Sequence, residues 1–447
     1  MFKMKAEMIN MEENTVVKTQ NVFKNKNFTL TFLGALVSNI ASLFYSFAVS
    51  FYILKITDNN AFLQGLYLAV GGITFCIVTL FGGVISDRFN KAKIMYICDY
   101  LKGAVIIAFT LLLMFVIKDN TGQVIALFVV AVLSNAIAGI FSPASSALLP
   151  QIVEEESFQQ AQSYFSILNS FQSIVGVVLA GVLYTLIPIN ILFLIVGVCY
   201  IISAISEMFI KYKSEYEKKD EKLSMKVVFS DIKDGFKYIV SMKAILSLLL
   251  AVLFINFFFS PIFDNFVPYF IATDVANANY IFKDIMAPEM WNSFGAVALG
   301  VGSLVMSIVL SASKQKEKCN VTVRYSILGI AGVLILLTGF YALFINNIIG
   351  INALLAILIA VFLGIGLLVV LVNVPVATVS MKLIDKDKFG KVSSVSAIGS
   401  QGLIPLSMFL GGLAITYVGS IGLLIACTVG FLLVALLLMF NKSVREI

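Results

Sequence analysis

The chain of 447 residues is 60% hydrophobic and 13% charged, with a mean hydropathy of +0.99, against about 25% charge in ordinary soluble domains. So much apolar surface cannot be hidden in one aqueous core, which excludes a soluble enzyme or binding protein and leaves an all-α polytopic membrane protein. The formal net charge is +6, but its distribution follows membrane topology and excludes nucleic acid as the partner.

Residues 1–27 are polar and charged, with no apolar h-region, so a cleavable signal peptide is not expected. Twelve apolar stretches follow: α1 (28–54), α2 (62–85), α3 (94–117), α4 (123–148), α5 (159–187), α6 (190–211), α7 (244–271), α8 (290–313), α9 (321–345), α10 (349–380), α11 (391–417) and α12 (420–440). Most exceed the roughly 20 residues that a crossing needs, so tilt is expected.

Lys and Arg fix the orientation. With the N-terminus inside, all but three of the 31 Lys and Arg residues fall on the inner side, the exceptions being Lys55, Lys118 and Lys283. The positive-inside rule then places both termini in the cytoplasm and the chain in the plasma (inner) membrane. Residues 212–243 form the one hydrophilic interior stretch: a charged linker, then Val228, Ile232, Phe236 and Ile239 at helical spacing, which predicts an amphipathic helix on the inner membrane surface. The expected units are a tail (1–27), a six-helix bundle (28–211), the linker (212–243), a second six-helix bundle (244–440) and a short tail (441–447).

The halves echo each other. α4 ends in Ser142-Pro143-Ala144 to Pro150 and an acidic turn, and α10 ends near Val374-Pro375-Val376 and Asp385. Gly181 in α5 and Gly411-Gly412 in α11 recur at a similar offset. Six-helix halves related this way form a transporter architecture with a midplane site between them.

The α2–α3 loop reads Gly83-Val84-Ile85-Ser86-Asp87-Arg88-Phe89-Asn90-Lys91-Ala92-Lys93, a glycine for close helix contact, one acid and a basic cluster. Taken by itself it is either a charged turn at the inner face or a gate motif. It resembles the G-x-L-x-D-R-x-G-R-[KR] signature of the major facilitator superfamily, matching at Gly83, Asp87, Arg88 and Lys91, with Ile85 for Leu and Asn90 for the second Gly. The resemblance implies that Asp87 packs against a helix end of the other half and holds the cytoplasmic gate shut.

Within that superfamily the chain looks most like the macrolide-efflux and enterobactin-exporter-like group of drug antiporters. Ser142-Pro143-Ala144 through Leu148-Leu149-Pro150 is similar to its S-P-A-x-x-A-L-L-P segment. Leu54-Lys55-Ile56-Thr57 resembles its entry to α2, Asp99-Tyr100-Leu101-Lys102 its D-x-x-R pattern, and Asp231 to Tyr238 its linker helix. Two departures stand out: Ser42 replaces an acid that many relatives carry in α1, and Asn135-x-x-x-Gly139 replaces R-x-x-x-G in α4.

Polar residues inside the apolar runs are the candidate solute and coupling groups. α1 carries Ser38, Ser42, Ser46 and Ser50 at four-residue spacing with Asn39 beside them, and α7, its mate, carries Asn256, Ser260 and Asp264. The serines either line a cavity or bond back to their own helix. Asn135, Asn169, Gln172, Asn373 and Gln401 either touch solute or link helices. Asp264, between Pro261 and Pro268, lies either within α7, where it couples transport to protons or binds a cationic solute group, or in the outer loop. Asp99 and Lys102, three apart in α3, are placed to form an ion pair, and Glu207 to snorkel to the interface.

His is absent, which removes the usual general base, the commonest metal ligand and any Ser-His or Cys-His dyad. The five cysteines are scattered without a C-x-x-C and read as small apolar residues. No metal, cofactor or catalytic residue is expected. An intramembrane enzyme would have only Gly399-Ser400-Gln401-Gly402 as a nucleophile-like string, and Gly390-Lys391 lacks the upstream glycine of a P-loop. The leading expectation is a monomeric, proton-coupled secondary transporter that exports an amphipathic small molecule. Its rival is a membrane receptor or assembly protein of the same fold without transport activity.

Overall fold

The computed structural model describes residues 22–154, 171–211, 242–312, 320–383 and 399–440, with Ser157, Ala161, Tyr164, Phe165, Ile167, Leu168, Lys237 and Val240 between them. The expected linker helix apart from Lys237 and Val240, Asn169, the start of α11, residues 1–21 of the first tail and the whole second tail lie outside the described residues. Every regular element among those residues is helical.

The observed bounds are α1 Lys26–Ile56, α2 Ala61–Arg88, α3 Lys91–Phe115 and α4 Asn120–Ile152. α5 consists of a π-helical turn Gln172–Gly176 and the helix Val177–Leu186, and α6 is Ile189–Met208. α7 begins as Lys243–Pro261 and continues through π turns Ile262–Phe266 and Ile271–Val275 on either side of Val267–Phe270. α8 is Met290–Ala312, α9 Asn320–Ile345 and α10 Ile351–Leu383. The last stretch, Ile404–Phe440, is two helices, because Gly419 stands at φ 82° and ψ 168°. That conformation is open to glycine and costly for other residues, so α11 (404–418) and α12 (420–440) reverse there.

Ten described segments are long and apolar enough to cross a bilayer. The segment Gly399–Phe440 contains both α11 and α12, and the shorter apolar helix of α5 adds the remaining crossing. The chain is thus a twelve-helix membrane protein.

Short polar residues start the first four helices where the sequence breaks its apolar runs. Asn25 Oδ1 accepts from the amides of Asn27 and Phe28, Asn60 Oδ1 from Leu63, Asn90 Oδ1 from Lys93, and Asp119 Oδ2 from Gly122. Each satisfies amides that a helix start leaves bare, an effect of about 1 kcal/mol. Asn90, the departure from the superfamily's glycine, therefore has its own use as the cap of α3. The α1–α2 turn passes through Asp58 and Asn59 at φ 49° and 60°, a left-handed conformation that Asp and Asn tolerate best among side-chain-bearing residues.

Packing follows a pseudo-twofold. α2 packs on α4 as α8 packs on α10, α3 on α4 as α9 on α10, and α1 on α6 as α7 on the α11–α12 stretch. Glycine closes both packings: a Cβ on Gly82 would collide with the Gly139 carbonyl oxygen, and one on Gly302 with that of Leu363. Small residues let membrane helices approach closely where lipid offers no hydrophobic drive to associate. The close contact thus belongs to Gly82; Gly83, assigned it from the sequence, has nothing within 4 Å of its Cβ position.

The two halves meet along α2–α11 and α5–α8, pairs that the pseudo-twofold exchanges. Phe44, Phe109, Phe193 and Tyr200 fill the first half, and Phe266, Phe270, Tyr341 and Phe431 the second. Leu, Ile, Val and Phe on the outer faces, such as Ile125, Ile308 and Leu437, are exposed, as a lipid-facing surface requires.

Candidate functional site

Between the halves lies a cavity of about 1000 Å³. The first half lines it with Ser42, Ser46 and Ser50 of α1, Tyr67 of α2, Lys102 of α3, Ser134 and Asn135 of α4 and Gln172 of α5. The second half contributes Phe263, Asp264 and Pro268 of α7, Asn292 and Ala296 of α8, Phe362 of α10, and Ile404 and Met408 of α11. The wall is mostly apolar, with scattered hydroxyls and amides and two charged side chains, Lys102 and Asp264, one from each half.

Asp264 sits in the α7 π turn Ile262–Phe266, with α7 running on to Val275. This resolves the two placements left open by the sequence in favour of the helix. Pro261 supplies the cause: with no amide to donate, it interrupts the ladder, and a π turn takes up the slack. The turn aims Asp264 into the cavity, where the side chain is exposed. No hydrogen bond or ion pair reaches its carboxylate among the described residues. Its backbone carbonyl accepts from Gln64 Nε2 of α2 at 3.3 Å, a link between the halves beside the cavity.

A second π turn, at the start of the described part of α5, carries Gln172. Its Nε2 donates to the Asn39 carbonyl of α1 at 2.9 Å, so Asn39 supports the wall through its backbone. The serine stripe shows both behaviours anticipated for it. Ser42 and Ser46 are exposed to the cavity, while Ser46 Oγ donates to the Leu43 carbonyl and Ser50 Oγ to that of Ser46. Asn135 lines the cavity, donates to the Ala131 carbonyl at 2.9 Å and packs on Gly71.

The remaining candidates lie apart from the cavity. Asn256 Nδ2 donates to the Ser400 carbonyl at 3.0 Å, joining α7 to the turn before α11. Ser260 is half-buried, and Asn373 and Gln401 are exposed, all outside the lining. In the loop motif, Lys91 is only 2% exposed at the first turn of α3, unlike a lysine in a solvated turn. The side chains of Asp87 and Arg88 lie outside the described residues.

Two expectations are corrected. Asp99 and Lys102 attract each other without a close ion pair among the described residues: the Lys102 ammonium lies 4.6 Å from the centroid of the Tyr200 ring of α6. A cation over an aromatic face needs no carboxylate partner. Glu207 does not snorkel, because it is fully buried between α6 and α1.

Asn292 and the hydroxyl pair Tyr45–Tyr67, whose oxygens are 3.4 Å apart, escaped the sequence reading. A lone amide one residue after the single Trp, at the head of an apolar run, was the available signal for Asn292. For the tyrosines there was none, since sixteen Tyr residues share the chain. A separate cavity of about 730 Å³ opens on the face of the α1–α2 turn, between Lys55, Asp58, Tyr184 and Glu289. Burial pushes the Glu289 carboxyl up from its usual range, against a smaller opposing pull from Lys55.

Comparison with known proteins agrees with the fold. Residues 28–407 match the family profile described as Major Facilitator Superfamily. The chain is 25% identical over 335 residues to the uncharacterized MFS-type transporter YkuC of Bacillus subtilis (strain 168), covering 72% of each chain. It is 27% identical over 171 residues to macrolide efflux protein A of Streptococcus pyogenes, covering 38% of this chain and 40% of that one. Among solved structures, a POT family transporter in complex with 5-aminolevulinic acid superposes with a TM-score of 0.70 at 12% identity, over 93% of this chain and 96% of that one.

Proposed function

Because the chain belongs to the major facilitator superfamily and is therefore a multi-pass membrane transport protein, we propose that it is a proton-coupled secondary transporter exporting an amphipathic, macrolide-like or siderophore-like small molecule. The observation that carries this reading is the cavity of about 1000 Å³ walled by both halves. A site between two pseudo-symmetric bundles changes its access when one bundle rocks against the other. Its volume suits a large organic molecule. Its mostly apolar wall suits the body of such a molecule, and Asp264 suits either a cationic group on it or a proton exchanged for it.

In this reading the rocking units are residues 28–211 and 244–440, joined by the linker 212–243, in a monomer of the plasma membrane with both termini in the cytoplasm. Gly83, Asp87, Arg88 and Lys91 act at the cytoplasmic gate. The partial similarity to macrolide efflux protein A supports the direction and solute class. The test is transport in proteoliposomes under an imposed proton gradient, against a panel of macrolides, siderophores and cationic dyes. Gradient-driven movement of at least one class is expected; none across the panel, with protein shown to be folded and inserted, overturns the reading.

A further inference from the structure

Outside the cavity, two carboxyl groups are buried in the first half without a close ion pair among the described residues. Asp99 of α3 is 3% exposed and Glu207 of α6 is fully buried. Asp99 Oδ2 and both Glu207 oxygens have no hydrogen-bond partner. α3 and α6 pack tightly on each other, α1 closes over α6, and the two carboxyl groups interact electrostatically. Glu207 lies across Gly34 of α1, its Cγ 3.0 Å and Oε1 3.3 Å from the position of a Cβ there, with Ser203 Oγ at 3.4 Å from the same point.

Ser203 cannot relieve the pair. Its Oγ donates to the Gly34 carbonyl at 2.9 Å and also contacts the Asp99 carboxyl. A hydroxyl has one hydrogen, so Ser203 serves one acceptor at a time, and Asp99 Oδ2 and both Glu207 oxygens are left without a donor.

Electrostatics favours a proton at this pair. Two ionised carboxylates sharing a buried site repel each other, and each bears a desolvation cost of several kcal/mol. Lys102 attracts Asp99 but is held over the Tyr200 ring facing the cavity. The other titratable groups of α3 are Lys91, Lys93, Tyr96, Cys98 and Tyr100, with both lysines in its first turn, about two turns from Asp99. On α6 they are Cys199 and Tyr200. α1 has no titratable residue between Lys26 and Tyr45, and α4, on the other side of α3, none between Asp119 and Glu154.

We propose that Asp99 and Glu207 form a proton-binding site, distinct from Asp264, that holds at least one proton and is linked to the cavity by Lys102. On release, the O–H bond breaks, the proton passes to water, and a carboxylate is left one helical turn from Lys102. That charge draws the ammonium off the Tyr200 ring and away from the cavity wall. Rebinding of the proton returns Lys102 to the wall. Protonation of this pair thereby sets whether the cavity presents a cation beside its serines.

The test is infrared spectroscopy of the full chain in lipid nanodiscs through a pH titration, which reads protons and not transport, so it stands or falls separately from the proposed export. The expected result is a protonated-carboxyl band at neutral pH that survives Asp264→Asn and is lost in Asp99→Asn or in Glu207→Gln. Lys102→Met, which removes the cation that attracts Asp99, should extend the pH range over which the band persists. Should either pair variant fail to fold, wild-type chain with carboxyl-labelled Asp or Glu gives the same answer through an isotope shift. A neutral-pH spectrum with no such band, or a band that moves only with Asp264→Asn, overturns the proposal.

Discussion

Gly65 of α2 and Gly412 of α11 pack backbone to backbone across the two halves. A Cβ on Gly65 would lie 2.5 Å from the Met408 carbonyl oxygen and 2.9 Å from the Gly412 Cα, and one on Gly412 would lie 2.5 Å from the Ala61 carbonyl oxygen. Gly72 meets Pro405 further along the same pair. On the symmetry-related seam, Ser293 of α8 donates to the Val177 carbonyl of α5 at 2.9 Å and abuts Gly181. These contacts seal the halves together toward the α1–α2 face, beyond the cavity.

The seal predicts a conformational phenotype. Gly65→Leu should disfavour the sealed arrangement by about 1–3 kcal/mol, the usual cost of overpacking, and so shift the population by on the order of tenfold or more toward opening at the α1–α2 face. A cysteine at Asn292, in a background without the native cysteines, should then react faster with an impermeant thiol reagent. Unchanged reactivity would mean that this seam does not open during the cycle.

The fold was legible in the sequence because bilayer crossing imposes long apolar runs and the Lys and Arg asymmetry dates from insertion. The Asn and Asp caps, which the apolar runs did not reveal, start the first four helices one to three residues earlier than those runs suggest. What eluded the sequence was set by tertiary neighbours. The three-residue spacing of Asp99 and Lys102 suggests an ion pair, yet α6 brings Tyr200 to the lysine and Ser203 to the acid. Ser260 shares a stripe with Asp264, yet the π turn at Ile262–Phe266 rotates Asp264 into the cavity and leaves Ser260 out of it. Six polar candidates, Ser42, Ser46, Ser50, Asn135, Gln172 and Asp264, do line one cavity.

Topology is checked by labelling. Single cysteines at Asn60, the cap of α2, and at Asn346, in the α9–α10 turn, should react from outside intact cells. One at Lys219 should react only after permeabilisation. The motivation is that all but three Lys and Arg fall on one side, and the reverse labelling pattern would invert the orientation.

Asp87 is predicted to act on conformation and not on solute. It lies in the last turn of α2, at the end opposite the Gly65–Gly412 seam and about three turns beyond Phe75, the last described α2 residue of the cavity lining. Asp87→Asn should slow transport about tenfold or more while leaving solute affinity within a few-fold, because a group that biases two states changes their populations without touching the ligand. A large loss of affinity at unchanged turnover would place Asp87 in the binding site instead.

Asp264 is predicted to be the coupling acid of the cavity. It is exposed to that space from a π turn, and among the described residues its carboxylate has no partner. An acid poised in this way can alternate between a proton and a cationic solute group, whereas one held by an arginine or lysine could not. Removing the charge while keeping the shape should therefore uncouple transport without dismantling the site. Asp264→Asn in proteoliposomes should lose gradient-driven accumulation, by at least about tenfold, a loss of about 1.4 kcal/mol or more in coupling, yet retain exchange of labelled for unlabelled solute. Loss of both activities in a folded variant would make Asp264 a solute ligand. Accumulation that persists with an unchanged pH profile would remove it from the mechanism and leave the buried Asp99–Glu207 pair as the carrier to test next.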